Sequence, residues 1–304
     1  MKALFPILLC CLLPAPAAHA QVWLYVLGIA QDAGYPQIGC RRPDCVQAWE
    51  NPERRRLATS VAVIDESSAS AYLFEATPHV SEQLHRLKRA FPDTQLGGVF
   101  VTHAHIGHYA GLMFFGHESM GARGIPVYAM PRMQEFLSTS GPWEQLVRYG
   151  NIELRGLEGN RPVALGSELT ITPFRVPHRD EYSETVGYRI DGPNRSAVFI
   201  PDIDKWQRWD TDIRDIVRDV DYALLDGTFF DQDELPGREM SAIPHPFVVE
   251  SMALFDTLDE GDRAKVIFIH LNQSNPLVRG DREARRLVEE RGYRVATERM
   301  RLPL

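Results

Sequence analysis

Three histidines stand close together in the segment VTHAHIGHYAG, at positions 103, 105 and 108. His103 and His105 are two positions apart, so their side chains project to the same side where the segment is extended. His108 follows at the expected start of a helix, from which it can turn back toward the same point. Neutral imidazoles in this arrangement can bind one or two borderline metal ions such as zinc, with Zn–N bonds of about 2.0–2.1 Å. Residues 99–101 are apolar and should be buried, which argues against three solvent-facing histidines.

Three further candidate ligands each stand at the end of an apolar segment that we predict to be a strand. His178 follows residues 169–176, Asp202 follows residues 196–200, and His270 ends residues 265–270. Because rigid strands can deliver side chains to one edge of a sheet, we expect these residues to join the three histidines. The predicted metal ligands are His103, His105, His108, His178, Asp202 and His270.

Asp202 has a second predicted role, and three other polar residues near these segments have two interpretations each. Asp202 is also expected to orient the attacking group, and His245, in a Pro-His-Pro loop, could contact substrate or protonate a leaving group. An ordinary surface histidine is the competing interpretation of His245. Asp226 precedes a glycine and fits a structural turn as well as a group that orients a metal-bound histidine. Asp204 is expected to lie in an exposed loop rather than to bind metal.

The elements that must position these residues alternate between strand-like and helical segments along the chain. Several neighbouring strands can form hairpins, as residues 60–65 and 71–75 do around a Ser-rich turn. Helical spacing is found in residues 78–90, 247–258 and 282–291. This mixture predicts an α+β fold of two mixed β-sheets flanked by helices. No linker divides the chain cleanly, so residues 21–304 are expected to form one domain.

The histidine cluster resembles the His-x-His-x-Asp-His signature of the metallo-β-lactamase superfamily, and His178, Asp202 and His270 match the later ligands of that family in order. Residues 225–229 (LDGTF) and 269–276 (IHLNQSNP) are among the segments that resemble the pyrroloquinoline quinone biosynthesis protein B family, over nearly the whole chain after residue 20. The resemblance implies an αββα sandwich with the site along one edge of the two sheets. It also implies a first metal held by His103, His105 and His178, and a second held by His108 and His270, with Asp202 bridging them.

Two features depart from this family pattern. Gly107 stands where the signature has its aspartate, so we expect one tight zinc ion and a weaker second ion, with iron or manganese as alternative metals. Cys40 and Cys45 remain where the resembling family carries a three-cysteine zinc site, and Arg42 replaces the middle cysteine. Two thiolates do not complete a tetrahedral zinc site, so we favour a Cys40–Cys45 disulfide over a structural metal.

The N-terminal segment predicts export. Lys2, an apolar stretch at residues 3–13 and an Ala-x-Ala sequence at residues 18–20 are typical of a cleavable signal peptide, so residues 1–20 should be removed and the mature protein should be periplasmic. The full chain has 33 Lys and Arg against 41 Asp and Glu. This acidic balance argues against nucleic-acid binding. No later segment is long and apolar enough to span a bilayer, so integral membrane association is not expected.

Together these features predict an exported metal-dependent hydrolase that uses a metal-bound hydroxide on a small-molecule ester, lactone, lactam or phosphoester. A first alternative is an iron-dependent oxygenase, because nitrogen ligands and one carboxylate with open positions also suit iron, and the resembling biosynthesis family is thought to act in this way. A second alternative is a non-enzymatic periplasmic carrier of a quinone cofactor or a similar acidic ligand.

Overall fold

A computed structural model describes residues 21–166 and 168–304. The expected signal peptide, residues 1–20, lies outside the described residues. Within those residues the structure contains two mixed sheets of seven strands each, with helices packed against them. This arrangement confirms the predicted α+β sandwich.

The first sheet ends in polar loops at the edge where the candidate residues lie. Its strands are β1 (Val22–Gly28), β2 (Ser60–Asp65), β3 (Ser70–Phe74), β4 (Gln95–Phe100), β5 (Ile125–Ala129), β6 (Ile152–Gly156) and β14 (Arg301–Pro303). Their order across the sheet is β14-β1-β2-β3-β4-β5-β6. The three pairs from β14 to β3 are antiparallel, and the three pairs from β3 to β6 are parallel. Strands β1, β3 and β4 therefore run in the same direction and end at the same edge.

The second sheet has the same division into an antiparallel and a parallel half. Its strands are β7 (Val163–Leu165), β8 (Leu169–Arg175), β9 (Val186–Asp191), β10 (Ser196–Ile200), β11 (Tyr222–Asp226), β12 (Val266–Ile269) and β13 (Arg294–Val295). Their order is β13-β12-β11-β10-β9-β8-β7, with parallel pairs from β13 to β10 and antiparallel pairs from β10 to β7. Strands β8, β10, β11 and β12 therefore point the same way.

Most of the helices bury apolar side chains, and several begin after an Asp or Asn whose side chain caps the first turn. They are α1 (Pro43–Glu50), α2 (Val80–Ala90), α3 (Ile106–Tyr109), α4 (Pro131–Thr139), α5 (Trp143–Arg148), α6 (Ile213–Asp219), α7 (Val248–Phe255), α8 (Glu260–Arg263), α9 (Pro276–Arg279) and α10 (Arg282–Glu290). For example, α10 begins after Asp281, whose carboxylate accepts hydrogen bonds from the backbone N–H groups of Glu283 and Ala284. None of the helices in the described ranges combines the length and hydropathy that crossing a bilayer requires.

Aromatic side chains join the two sheets beneath the candidate site. The rings of Phe74 and Phe100 stack with centroids 5.0 Å apart, and Tyr188 meets Phe100 edge-on at 5.6 Å. Burial of each such ring contributes about 1.5–3 kcal/mol. The Tyr188 hydroxyl donates to the carbonyl of Val101 at 2.6 Å, two residues before His103. The core therefore holds the segment that carries the histidine cluster.

The sequence did not predict three of the strands, and it predicted a fourth as too long. Strands β6, β7 and β14 were not predicted, and the strand expected at residues 293–297 is reduced to β13. All four lie at sheet edges. Edge strands are short and half exposed, so they lack the apolar runs on which strand prediction depends. The helix expected at residues 109–115 is the single α turn α3 followed by a 3₁₀ turn at Ala110–Phe115.

Candidate metal centre

All six predicted metal ligands lie at one edge of the sandwich, beyond the carboxyl ends of the strands. His103 and His105 follow β4, His178 follows β8, Asp202 follows β10, His270 follows β12, and His108 lies in α3. The predicted catalytic pair of Asp202 and His245 is at the same edge, with Oδ1 of Asp202 3.2 Å from Nδ1 of His245. The structure therefore brings the six predicted metal ligands and His245 together at one edge.

The first cluster consists of His103, His105, His178 and Asp202, with one ligand atom from each within 4.8 Å of the others. Nδ1 of His105 lies 2.8 Å from Nε2 of His103 and 3.3 Å from Nε2 of His178. Oδ2 of Asp202 lies 3.4 Å from Nε2 of both His103 and His178. Tetrahedral zinc with bonds of about 2.0–2.1 Å has its ligand atoms about 3.3–3.4 Å apart. Three of these four separations match that geometry.

The second cluster consists of Asp32, His108 and His270, again with ligand atoms within 4.8 Å of one another. Oδ1 of Asp32 lies 3.7 Å from Nε2 of His108. Oδ2 of Asp202 lies 3.6 Å from the same nitrogen. One carboxylate oxygen of Asp202 therefore borders both clusters, as expected for a bridging ligand.

Each of the five clustered histidines has an oxygen atom beside the ring nitrogen that faces away from the clusters. These contacts are His103 Nδ1 to Thr102 Oγ1 at 2.8 Å, His105 Nε2 to Glu181 Oε2 at 2.9 Å, His108 Nδ1 to Glu75 Oε1 at 3.5 Å, His178 Nδ1 to Asp204 Oδ1 at 3.3 Å, and His270 Nδ1 to Thr228 Oγ1 at 2.9 Å. Such partners fix the ring orientation and tautomer of metal-binding histidines. The other nitrogen of each ring is left to face inward.

Two inward nitrogens, Nε2 of His108 and Nε2 of His270, are buried without a hydrogen-bond partner among the described residues. A buried polar atom without a partner costs about 1–3 kcal/mol. A metal ion at this position would remove that cost. Imidazole nitrogens with a few carboxylate oxygens are a donor set typical of zinc sites. The residues present therefore fit zinc.

Three of the six non-glycine residues that have a left-handed backbone in the described ranges lie at or beside the second cluster. Asp32, Glu75 and His270 have φ angles of 41°, 74° and 64°, in the left-handed region that non-glycine residues seldom adopt. Each such residue costs on the order of 1–3 kcal/mol and persists only where its surroundings enforce it. Two of these residues, Asp32 and His270, belong to the second cluster, and Glu75 supplies the carboxylate beside His108.

Burial and neighbouring charges set the protonation of the histidines. Burial lowers the pKa of His103, His105, His178 and His270. These four rings are therefore neutral at pH 7, which is the form that binds metal. His108 differs, because although burial opposes protonation, Glu75, Asp202 and Asp32 raise its pKa to about 9. This position favours a cation, and a metal ion can take the place of the proton.

His245 is buried beside the first cluster, so its interpretation as a surface histidine is wrong. Its Nδ1 lies 2.9 Å from Oδ2 of Asp226. Although burial opposes protonation, Asp226 and Asp202 raise the pKa of His245 to about 9. The loop around it is covered by a small apolar cluster of Phe229, Met240, Ile243 and Phe247. That packing, which no sequence periodicity signalled, is what buries the ring.

Asp226 stabilises a turn, as one interpretation of the sequence suggested, and it also orients a histidine, although not one of the predicted metal ligands. Its Oδ1 accepts a hydrogen bond from the backbone N–H of Thr228 at 2.8 Å, which stabilises the turn. Its Oδ2 accepts from the backbone N–H of Ile203 at 3.1 Å, next to Asp202. The histidine that it orients is His245, which is not one of the five clustered histidines.

Asp204 does not lie in an exposed loop, as the sequence had suggested. The residue is 8% exposed, and its Oδ1 faces Nδ1 of His178. Its backbone N–H donates to the carbonyl of Pro177 at 2.8 Å, so the loop after β10 folds against the segment that carries His178. Asp204 therefore supports a candidate ligand from behind and does not replace the aspartate missing at position 107.

Sequence reasoning missed Asp32, Glu75 and Glu181. Glu75 directly follows β3, and the signal that identified His178 and Asp202, a polar residue just beyond an apolar strand, applies to it equally. Asp32 and Glu181 lie inside long polar loops, where nothing local distinguishes them from solvated residues. Their approach to the histidines depends on how those loops fold.

Comparison with known proteins agrees with the geometry. A family model described as a beta-lactamase superfamily domain matches residues 71–271, about two thirds of the chain. Curated relatives include Coenzyme PQQ synthesis protein B of Methylobacterium nodulans, 28% identical over 307 residues that cover 92% of this chain and 99% of the relative. The protein of the same name from Methylobacterium sp. strain 4-46 is 26% identical, with coverage of 92% and 99%.

Solved structures with the same fold include zinc-bound PqqB from Methylobacterium extorquens, with a TM-score of 0.76, 22% identity and coverage of 93% of this chain and 100% of that one. A diphosphatase from the PhnP family has a TM-score of 0.65 and 22% identity, and covers 93% of this chain and 97% of its own. At these identities the likeness establishes the fold. The presence of zinc in the first structure agrees with the donor set found here.

Proposed function

Because the chain belongs to the beta-lactamase superfamily, we propose that it is a zinc-dependent hydrolase. The observation that carries the proposal is the convergence of five histidines and Asp202, with hydrogen-bonding oxygens at the outer ring nitrogens of His103, His105, His178 and His270 and a Glu75 oxygen 3.5 Å from that of His108. An ordinary buried histidine also bonds a ring nitrogen, but here the opposite nitrogens of five rings converge on two small clusters. When bound, a metal ion would polarise the substrate and lower the pKa of a coordinated water from about 15.7 toward about 7.

Asp202 is the residue that we propose orients the attacking water. Its Oδ2 lies between the two clusters, 3.4 Å from His178 Nε2 and 3.6 Å from His108 Nε2. A carboxylate oxygen at that position can accept a hydrogen bond from a water molecule held between the clusters. The attack then begins from a fixed direction, which is the main benefit of preorganisation.

His245 is the residue that we propose donates a proton to the leaving group. Its Nδ1 is occupied by Asp226 and Asp202, which leaves Nε2 as the donor. Its ring centroid lies 5.6 Å from that of His178, so the donor stands beside the first cluster. A positioned acid of this kind contributes about 10²–10⁴-fold to the rate where the leaving group is a poor one.

The bond that is cleaved belongs to an ester, lactone, lactam or phosphoester, since each of these groups has an oxygen atom that a metal can polarise and a leaving group that an acid can protonate.

The test is a substrate screen of the purified protein across these four classes, with and without prior removal of metal by a chelator. We expect activity in one class that disappears with the metal. His103→Ala should abolish it, whereas His117→Ala, which changes an exposed histidine outside both clusters, should not. Activity that survives both chelation and His103→Ala would reject the proposal.

A second candidate function is an iron-dependent oxygenase. The observation that favours it is the similarity to proteins named for coenzyme PQQ synthesis over 92% of this chain. Imidazole and carboxylate ligands also suit non-heme iron. Metal analysis of protein from its native host separates the two functions, because the hydrolase should contain zinc and the oxygenase should contain iron and consume dioxygen.

We further propose that the protein acts in the periplasm after removal of residues 1–20. The Ala-x-Ala sequence supports this location. The disulfide between Cys40 and Cys45 supports it as well, because such bonds persist in oxidising compartments. N-terminal sequencing of protein from the periplasmic fraction should give Gln21 as the first residue. Soluble cytoplasmic protein that retains Met1 would contradict the proposal.

A further inference from the structure

Asp32 occupies the space that a side chain at position 107 would need. A Cβ atom built on Gly107 would lie 2.4 Å from Cα of Asp32 and 2.4 Å from its Oδ1. Cβ atoms do not approach other atoms this closely. The glycine in the His-x-His-x-Gly-His sequence is therefore required by the loop that carries Asp32, and Asp32 takes the space where a side chain of residue 107 would begin.

The same backbone pairing fixes Asp32 and His270. The N–H of Gln31 donates to the carbonyl of Leu271 at 2.9 Å, and the N–H of Leu271 donates to the carbonyl of Ile29 at 2.8 Å. Asp32 and His270 are the immediate neighbours of Gln31 and Leu271. The parallel bridge between Ala30 and Leu271, which joins the two sheets, therefore fixes the left-handed backbone of Asp32 and His270.

Two buried ring nitrogens face the cluster that Asp32 joins. Nε2 of His108 and Nε2 of His270 are buried and lack a hydrogen-bond partner within residues 21–166 and 168–304. Both side chains are at most 1% exposed. Asp32 brings a carboxylate oxygen to 3.7 Å from His108 Nε2, and Asp202 brings another to 3.6 Å. One ring nitrogen each from His108 and His270 and a carboxylate oxygen of Asp32 lie within 4.8 Å of one another, and this set of donor atoms suits a divalent cation.

We infer that Asp32 is the carboxylate ligand of a second zinc ion, supplied from the loop after β1 in place of the aspartate that Gly107 lacks. Asp32 and Gly107 depend on each other, because Asp32 can reach the second zinc only while residue 107 has no side chain. Asp32 also lies upstream of residues 71–271, the part of the chain that the family model matches. The inference deepens the proposed function at the same centre, but it concerns metal binding alone and is tested without substrate.

The experiment titrates the metal-free full chain with zinc alone and measures bound zinc after gel filtration. We expect two equivalents for the wild type and for Asp93→Ala, which removes an exposed aspartate outside the centre. Asp32→Ala should retain one equivalent and weaken the second by more than about 100-fold, since loss of even an outer partner of a ligand costs about 10–100-fold. Gly107→Ala, which removes no ligand, should weaken the second zinc as well by displacing Asp32.

The outcomes separate this inference from the proposed hydrolysis. If Asp32→Ala binds two zinc ions as tightly as the wild type, Asp32 is not a ligand, whatever the enzyme cleaves. If the wild type binds only one zinc ion, the second site does not exist and the inference fails. If Gly107→Ala does not fold, Asp32→Ala still decides the question. Absence of hydrolysis with two bound zinc ions would reject the proposed function and leave the metal assignment standing.

Discussion

Oδ2 of Asp226 lies 2.9 Å from Nδ1 of His245, and the carboxylate is fully buried at the end of β11. The same oxygen accepts the backbone N–H of Ile203, so one group ties the loop of His245 to the loop of Asp202. This contact fixes which nitrogen of His245 remains available to substrate. It gives Asp226 a positioning role, since the residue acts through His245.

The first prediction concerns this pair. Asp226→Asn and His245→Gln should each lower kcat by about 10²–10⁴-fold for a substrate with a poor leaving group, because the proton donor is misdirected or absent. For a 4-nitrophenyl substrate, whose leaving group needs no proton, the loss should be under about 10-fold. KM should change little for either substrate. Equal losses for both leaving groups would mean that His245 supports structure and does not deliver a proton.

The second prediction ranks the ligands of the first cluster. His103→Ala, His105→Ala and His178→Ala each remove one of three nitrogen donors, so zinc content and activity should fall together. Asp202→Asn retains an oxygen donor of the same size without the charge, so it should retain much of the zinc and lose most of the turnover. Zinc content by mass spectrometry and kcat are measured on the same samples, with His117→Ala as the matched control. A His178→Ala protein that remains fully loaded would refute this ranking.

Sequence alone was sufficient for much of the architecture because the central strands carry strong local signals. Strands β2 and β10 consist of buried, largely apolar residues bounded by turn sequences, and their positions were predicted closely. Edge strands such as β14 gave no such signal, because a Pro-containing segment of three residues has little apolar content. Pairing order between distant strands also depends on packing of the whole sandwich and could not be assigned from the sequence.

The sequence predicted those residues of the candidate site that come directly after a strand. His178 and Asp202 stand at strand ends, and the structure places them together. Asp32 could not have been found, because its position depends on a left-handed backbone and on the missing side chain of Gly107. The burial of His245 was likewise invisible, since it results from the packing of Phe229 and Ile243 around its loop.

The third prediction concerns stability and pH at Glu234. Burial raises the pKa of this carboxyl group from 4.5 to about 7, although hydrogen bonds from Phe230 N–H and Ser274 Oγ oppose the shift. Between these two pH values the unfolded chain releases the proton and the native state keeps it, so the native state loses stability as pH rises. Above pH 7 the loss should reach about 3 kcal/mol.

Urea unfolding at pH 5 and pH 8 measures this effect. Glu234→Gln removes the titrating group, so the free energy of unfolding of the wild type relative to this variant should fall by up to about 3 kcal/mol between the two pH values. Glu239→Gln, an exposed glutamate on the same loop, serves as the control and should follow the wild type. Parallel behaviour of the wild type and Glu234→Gln would show that Glu234 is ionised throughout this range.

The fourth prediction concerns the link between the core and the histidine segment. Tyr188→Phe keeps the buried ring but removes the donor to the carbonyl of Val101, leaving that buried oxygen unpaired. The free energy of unfolding should fall by about 1–3 kcal/mol. Tyr182→Phe changes a tyrosine that is 63% exposed and should alter it by less than about 0.5 kcal/mol. Urea denaturation of both variants makes the comparison, and equal stabilities would contradict the role given to this hydrogen bond.

The most direct test of the central claim, zinc-dependent hydrolysis at the clustered histidines, is a zinc titration of the metal-free protein in which bound zinc and hydrolytic rate are measured on the same samples. We expect no hydrolysis by the metal-free protein and a rate that rises with zinc occupancy for a substrate of the ester, lactone, lactam or phosphoester classes. Asp202→Asn should take up zinc along a similar curve with little rise in rate. A metal-free protein that hydrolyses substrate at the full rate, or a fully zinc-loaded protein that cleaves none of these substrates, would contradict zinc-dependent hydrolysis at this centre.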